Sequence, residues 1–367
     1  MFDKRLLKNF DYPTLILALL ICALGIAVVG SATRTLPLED SLYYMRRQII
    51  WVGLGVAGIL VIISINYDNF LRWSWYLYVL NIMLLVSVLV MGREAGGASR
   101  WLALGFFDLQ PSEIAKMIII IALARLLAER SDRLDNIFDL APVFFYLAVP
   151  MALIIAQPDL GTSLVFVFIF LGMFYVAGVP YKIIVGLVLA GLALLPVAYS
   201  RLLDYQRMRL IAFLNHDIDP LGYGYQLAQS IIAIGSGGIT GKGLFQGTQA
   251  RLQFIPEQHT DFIFSVLGEE LGFAGGSFLI LLYALLIYRI LKIGSLSKDN
   301  FGALICVGVA AMLFFQVLVN IGMAISVMPV TGLPLPFMSY GGNSMMVNLL
   351  CIGLVLNVGM RRHKIQF

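Results

Sequence analysis

The chain has 367 residues, of which 60% are hydrophobic and 13% charged, against roughly 45–50% and about 25% in an average soluble domain. A soluble globular enzyme, a disordered chain and a fibre are excluded. The small net charge of +4, scattered among loops, gives nucleic-acid binding no support.

At about 20 apolar residues per crossing there is room for roughly ten spans. Apolar runs at 13–33, 47–65, 73–91, 111–128, 140–156, 160–177, 182–199, 262–290, 302–326 and 340–360 predict ten helices of an all-α polytopic membrane protein. The first run follows Lys4, Arg5 and Lys8 like a signal-peptide start. It lacks a small-residue cleavage site, so it is expected to be a retained helix. An even number of crossings places both termini on one side. Fourteen basic residues fall on that side and eleven on the other, five of the eleven within one long loop, 200–261. Long loops do not report orientation, so the comparison is fourteen against six, with both termini cytoplasmic and the loop between helices seven and eight extracytoplasmic. The chain reads as a single integral-membrane domain, 1–367, without a second, hydrophilic one. Cys22, Cys306 and Cys351 sit in apolar runs and read as small buried hydrophobes. His216, His259 and His363 are too sparse for a metal cluster.

The loops on the cytoplasmic side are short, whereas those outside are long and rich in Gly, Pro and polar residues, so function is expected on the external face. In chain order, Gly96-Gly97-Ala98-Ser99-Arg100-Trp101-Leu102 leads to Gln110-Pro111-Ser112-Glu113-Ile114-Ala115-Lys116. Pro111 suits the first turn of a helix, and Glu113 and Lys116, three apart, share a face just inside the membrane. They read either as an internal ion pair or as a cationic contact for an anionic substrate, oriented by Glu113. In the turn Gln157-Pro158-Asp159-Leu160-Gly161-Thr162, Asp159 reads as an N-cap.

The long loop opens on Asp204-Tyr205-Gln206-Arg207-Met208-Arg209. Two arginines expected to point the same way could bracket a pyrophosphate, or equally lipid headgroups. Farther on, Gly235-Ser236-Gly237-Gly238-Ile239-Thr240-Gly241-Lys242-Gly243 fails the phosphate-loop pattern and reads as tight, re-entrant or surface-hugging backbone. Asp261, after Gln258-His259-Thr260, stands at the external mouth of the next helix, with Glu269 and Glu270 about 12 Å deeper. These last two read as structural partners facing protein. Pro329, Pro334 and Pro336 exclude a regular helix, leaving an ordered loop over the cavity and a last helix starting near Ser339.

Seven pieces in this order, 97–101, 110–116, 157–162, 207–209, 229–243, 259–272 and 329–342, resemble the SEDS family (shape, elongation, division and sporulation) over essentially the whole chain. The compact length, short N-terminus and Gln258-His259-Thr260-Asp261 are more similar to its RodA, or elongation, branch than to FtsW, the division branch. The resemblance implies a peptidoglycan glycosyltransferase that polymerises lipid II at the outer face of the bacterial cytoplasmic membrane. It also implies a class B penicillin-binding protein, MreC, MreD and the MreB filament as partners. The family's catalytic aspartate carries over to Asp261 and its polar cavity residues to Glu113, Lys116 and Asp159. With Asp261 as general base the expected reaction inverts the anomeric centre and releases undecaprenyl pyrophosphate. Arg207, Arg209 and Lys116 are the expected pyrophosphate partners and Arg100 a further substrate contact; a divalent cation such as magnesium or manganese could share that task. The rival readings are a lipid II flippase or transporter, the FtsW-type division polymerase, and a non-catalytic scaffold.

Overall fold

Every apolar run of the sequence becomes one helix. The computed structural model describes residues 9–34, 42–95, 98–103, 105, 108–131, 133–136, 138–215, 218–219 and 222–362. Lys4, Arg5, Lys8, Gly96, Gly97, His216 and His363, all used in the reading above, lie outside the described residues. The ten expected spans are α1 (Tyr12–Ala32), α2 (Tyr43–Ser64), α3 (Tyr67–Met91), α4 (Pro111–Glu129), α5 (Ala141–Ala156), α6 (Leu160–Ala177), α7 (Tyr181–Ser200), α11 (Ile263–Ser295), α12 (Asn300–Ala324) and α13 (Gly342–Met360). Eight of these are long and apolar enough to cross a membrane. Of the other two, α4 carries Glu113, Lys116, Arg125 and Glu129, and α5 has 16 residues. The protein is a multi-pass membrane protein whose expected spans are all helical.

Local chemistry sets the helix ends. Asp11, Asp159 and Asp299 cap α1, α6 and α12 by accepting from the amides of Thr14, Thr162 and Gly302 at 3.1, 3.2 and 2.8 Å. Without a hydrophobic force between helices in lipid, close approach through small residues holds the bundle. A Cβ on Gly25 of α1 would lie 2.7 Å from the Phe337 carbonyl oxygen, and one on Gly308 of α12 would lie 2.7 Å from Ile120 of α4. The best-buried helices are α4, α12 and α13, which form the centre, whereas α7 has no buried residue.

One end of the bundle is tied by the ion pairs Arg289 to Asp11 at 2.5 Å and Lys298 to Asp68 at 3.0 Å, and carries an exposed pair within α4, Arg125 to Glu129 at 2.7 Å. The other end, external by the charge rule, carries the long loops. They hold more regular structure than the sequence indicated. Residues 92–110 contain an antiparallel sheet, β1 (Arg93–Ala95), β2 (Ala98–Ala103) and β3 (Asp108–Leu109). The loop 200–261 contains α8 (Asp204–Leu214), α9 (Tyr223–Ser236) and the single turn α10 (Thr248–Arg251). These elements are shorter than a span, which is why apolar-run counting passes over them. The last helix begins at Gly342, three residues later than expected.

The glycine-rich 237–243 stretch forms a tight backbone that follows α11, which sets its course. Gly272 interrupts that helix with φ +64° and ψ −164°. The freed backbone groups pair with the stretch: Lys242 and Gly243 amides donate to the Glu269 and Glu270 carbonyls at 3.1 and 2.9 Å, and Phe273 and Ala274 amides to the Gly238 and Ile239 carbonyls at 2.8 and 3.0 Å. Glu269 and Glu270 face protein, as expected. The Glu269 carboxylate accepts from Lys242 Nζ at 2.7 Å and from the amides of Thr248, Gln249 and Ala250 at 2.8, 3.0 and 3.3 Å. Glu270 accepts from the Ser31 hydroxyl of α1.

Candidate active site

Four external segments enclose a cavity of about 280 Å³: β2 with the start of α4, the 157–162 turn, the 257–261 turn and the 329–344 stretch. Its lining includes Arg100, Trp101, Gln110, Glu113, Asp159, Thr162, Glu257, Thr260, Asp261, Gly332 and Tyr340 through Ser344. A second chamber, lined by Tyr44, Arg47, Trp51, Arg93 and His259, shares Trp101, Thr260, Tyr340, Gly341, Gly342 and Asn343 with it, so the two form one cleft.

Asp261 stands in the turn before α11, its amide donating to the Glu257 carbonyl at 3.1 Å. Neighbours fix that turn. The Ser339 hydroxyl donates to the Thr260 carbonyl at 2.6 Å, and the Tyr340 amide to that of His259 at 2.9 Å. Gln258 Nε2 reaches the Ala32 carbonyl at the end of α1 at 2.7 Å. The Asp261 carboxyl is pushed up to about 6, chiefly by burial; Arg209 and Arg100 pull it down and Glu257 pushes it up. A carboxyl in that range can hold or release a proton near neutral pH, as a general base must.

Arg100 reaches from β2 to the 157–159 turn. Its Nε donates to the Gln157 carbonyl at 3.4 Å, its Nη2 to the Pro158 carbonyl, and its Nη1 lies 4.0 Å from Asp159 Oδ1. The Tyr205 hydroxyl also donates to the Pro158 carbonyl, at 3.0 Å, which docks α8 on the same turn. Asp159 caps α6 as expected. Its Oδ2 accepts from Thr162 Oγ1 at 2.9 Å, while one edge of the residue lines the cavity.

Glu113 and Lys116 form the internal ion pair, Nζ to Oε1 at 2.8 Å. Lys116 is fully buried and does not line the cavity, so its placement corrects the expectation of a cationic substrate contact: its charge is spent on Glu113. Glu113 does line the cavity, and its Oε2 is buried without a hydrogen-bond partner.

The arginine pair needs a second correction. Arg207 and Arg209 sit on a helix, where residues two apart point to nearly opposite sides. Arg207 donates to the Ser200 carbonyl at 2.7 Å and lies over Tyr199, away from the cavity. Arg209 stacks over Tyr205 and Tyr223, its Nε buried without a partner, and its Nη1 approaches Gly332 beside Asp261. It also lines a smaller, mostly apolar pocket that shares Arg100 with the main cavity. The site thus unites Asp261, Glu113, Asp159, Arg100 and Arg209, and leaves out Lys116 and Arg207.

Glu257, Gly332 and Asn343 belong to the cavity and were not singled out by sequence. A glycine between prolines is a signal for Gly332; the others are single polar residues among many. Among the described residues no group of three His, Cys, Asp or Glu side chains could hold a metal ion. The cavity carboxylates among the described residues therefore do not make a protein cage for a divalent cation.

The family model for FtsW, RodA and SpoVE, described as a cell cycle protein, matches residues 12–364. The chain belongs to this family, the SEDS proteins. Among relatives of this SEDS protein, peptidoglycan glycosyltransferase MrdB of Escherichia coli K12 is 39% identical over 95% of this chain and 94% of its own length. Stage V sporulation protein E of Bacillus subtilis is 36% identical over 95% and 96%. Among solved structures, a chain from a peptidoglycan synthase complex that coordinates polymerization and crosslinking superposes with TM-score 0.83 at 34% identity, covering 97% of this chain and 99% of that one. The rod shape determining protein RodA of Thermus thermophilus gives 0.74 at 32%, covering 97% and 98%. Within the SEDS proteins the chain is most like RodA.

Proposed function

We propose that this SEDS protein is a peptidoglycan glycosyltransferase that polymerises lipid II at the outer face of the cytoplasmic membrane during elongation, with Asp261 as general base. The carrying observation is the placement of the Asp261 carboxyl in a cavity lined by Arg100, with Arg209 on the far side of Gly332; burial there pushes the carboxyl up to about 6. Relatives named peptidoglycan glycosyltransferase, aligned over nearly the whole chain, support the activity, and RodA among the solved structures supports the elongation role.

The acceptor hydroxyl gives its proton to Asp261 as its oxygen bonds to the donor's anomeric carbon. The bond from that carbon to the pyrophosphate oxygen breaks on the opposite side, and undecaprenyl pyrophosphate leaves with the electron pair. The configuration inverts. The leaving group is a weak base, so it needs positive charge and no proton donor, which Arg209 and Arg100 supply. A single carboxylate then suffices, unlike the pair in glycoside hydrolases. A class B penicillin-binding protein is the proposed partner, supported by the likeness to a chain of a synthase complex. MreC, MreD and MreB are proposed with it through the elongation role.

The test is polymerisation of lipid II by purified protein, with and without a class B penicillin-binding protein. Asp261→Asn is expected to fold and insert yet lose about 10²–10⁴-fold in rate. A folded Asp261→Asn protein that polymerised at the wild-type rate would falsify the base assignment. Translocation of labelled lipid II in vesicles without any polymer would replace this reading by the flippase.

A further inference from the structure

Asn320 lies in the last turns of α12, fully buried and outside the cavity lining. Its amide nitrogen donates twice, to the main-chain carbonyl of Asp261 at 2.9 Å and to that of Leu333 at 2.8 Å. Its Oδ1 is buried with no partner. An amide that leaves its acceptor unpaired in the interior works only as a donor, and both of its N–H groups go to the two segments that form the site.

Those segments are the ones whose spacing matters. Asp261 carries the carboxylate, and Leu333 follows Gly332, where a Cβ would lie 3.5 Å from that carboxylate and 3.7 Å from Arg209 Nη1. Ser339 and Tyr340 join the same segments one and two residues earlier, at Thr260 and His259. Losing the Asn320 amide therefore leaves the segments docked and frees Asp261 in particular.

We propose that Asn320 is a positioning residue for glycosyl transfer, setting the distance of the Asp261 carboxylate from Arg209 and from the reacting hydroxyl. The proposal rests on Asp261 being the base. It acts through main chain alone, and Asn320 touches neither substrate nor reacting atoms.

The experiment measures lipid II polymerisation per folded molecule for the full chain with its class B penicillin-binding protein, comparing Asn320→Leu, Asn320→Ala and Asn320→Gln. Displacement of a reacting group by about 1 Å costs on the order of 100-fold in rate. Asn320→Leu and Asn320→Ala are expected to lower kcat by about that factor, with KM held within about twofold. Asn320→Gln keeps both donors one methylene further out and is expected to lose about tenfold. The acid limb of the pH profile, set by Asp261 among Arg209, Arg100 and Glu257, is expected to move in the Leu and Ala variants, because the carboxylate's distance from Arg209 and its burial both change. A kcat within about twofold of wild type in any of the three folded variants overturns the proposal. So does a rate loss with an unmoved acid limb, which would make the role structural. Asp261→Asn, run alongside, separates the two claims. If it is inactive while Asn320→Leu is fully active, only the positioning role fails; if it stays active, the base assignment fails first.

Discussion

Asp261 and Arg209 flank Gly332: a Cβ on that glycine would stand 3.5 Å from Asp261 Oδ2 and 3.7 Å from Arg209 Nη1. The backbone there has φ +75°, in the left-handed region where a side chain is strained. Gly332→Ala makes no hard clash, so its cost is the backbone strain, about 1–2 kcal/mol. Its methyl also stands between carboxylate and guanidinium. Purified Gly332→Ala is expected to melt slightly lower and to polymerise lipid II on the order of tenfold more slowly. Unchanged rate with lowered stability would show that this approach is irrelevant to turnover.

The pH dependence follows from the raised Asp261 carboxyl. A base must be ionised, so kcat/KM should fall as pH drops through about 6. Arg209 favours the charged form, so Arg209→Gln should move this limb upward; Glu257 disfavours it, so Glu257→Gln should move it downward. For stability the sign runs the other way. Burial makes the ionised form costly, so this group's contribution is full below the ordinary carboxyl value and is lost as pH rises through about 6. Limbs moving in one common direction in the two variants would contradict the electrostatics.

The Glu113–Lys116 pair separates folding from activity. Lys116→Met leaves a buried carboxylate uncompensated and should destabilise by about 3–5 kcal/mol. Adding Glu113→Gln should restore most of the stability, because no buried charge remains. Activity should stay low in the double variant, since Glu113 faces the cavity. Thermal unfolding in detergent together with the polymerisation rate decides it; a fully active double variant would confine Glu113 to a structural part.

Arg100 clamps the 157–159 turn through two different carbonyls. A lysine offers a point charge on a flexible stem and cannot reproduce that fork. Arg100→Lys is therefore expected to lose about 10-fold or more in rate while keeping its charge near Asp261. A rate equal to wild type would mean that charge alone matters at this position.

Spans and caps were legible because they depend on local chemistry. Asp159 before Leu160 announces a helix start, and the apolar runs announce their lengths. Asp261 was legible as an acid at a helix mouth. The arginine pair was misread because α8 is a short helix inside a polar loop, with no long apolar stripe to reveal its period. Lys116 was ambiguous because spacing puts it beside Glu113 without saying which way the pair faces. Asn320 was invisible, since its value lies in two carbonyls 59 and 13 residues away.

The joint at Gly272 sets an order of assembly. The amides of Lys242 and Gly243 and the carbonyls of Gly238 and Ile239 are completed by 269–274, residues that leave the ribosome later. Unsatisfied peptide groups are not tolerated in hydrocarbon. The backbone of the glycine-rich stretch is therefore completed only by the helix synthesised after it, so this part of the fold cannot close before the span that Asp261 precedes has been made.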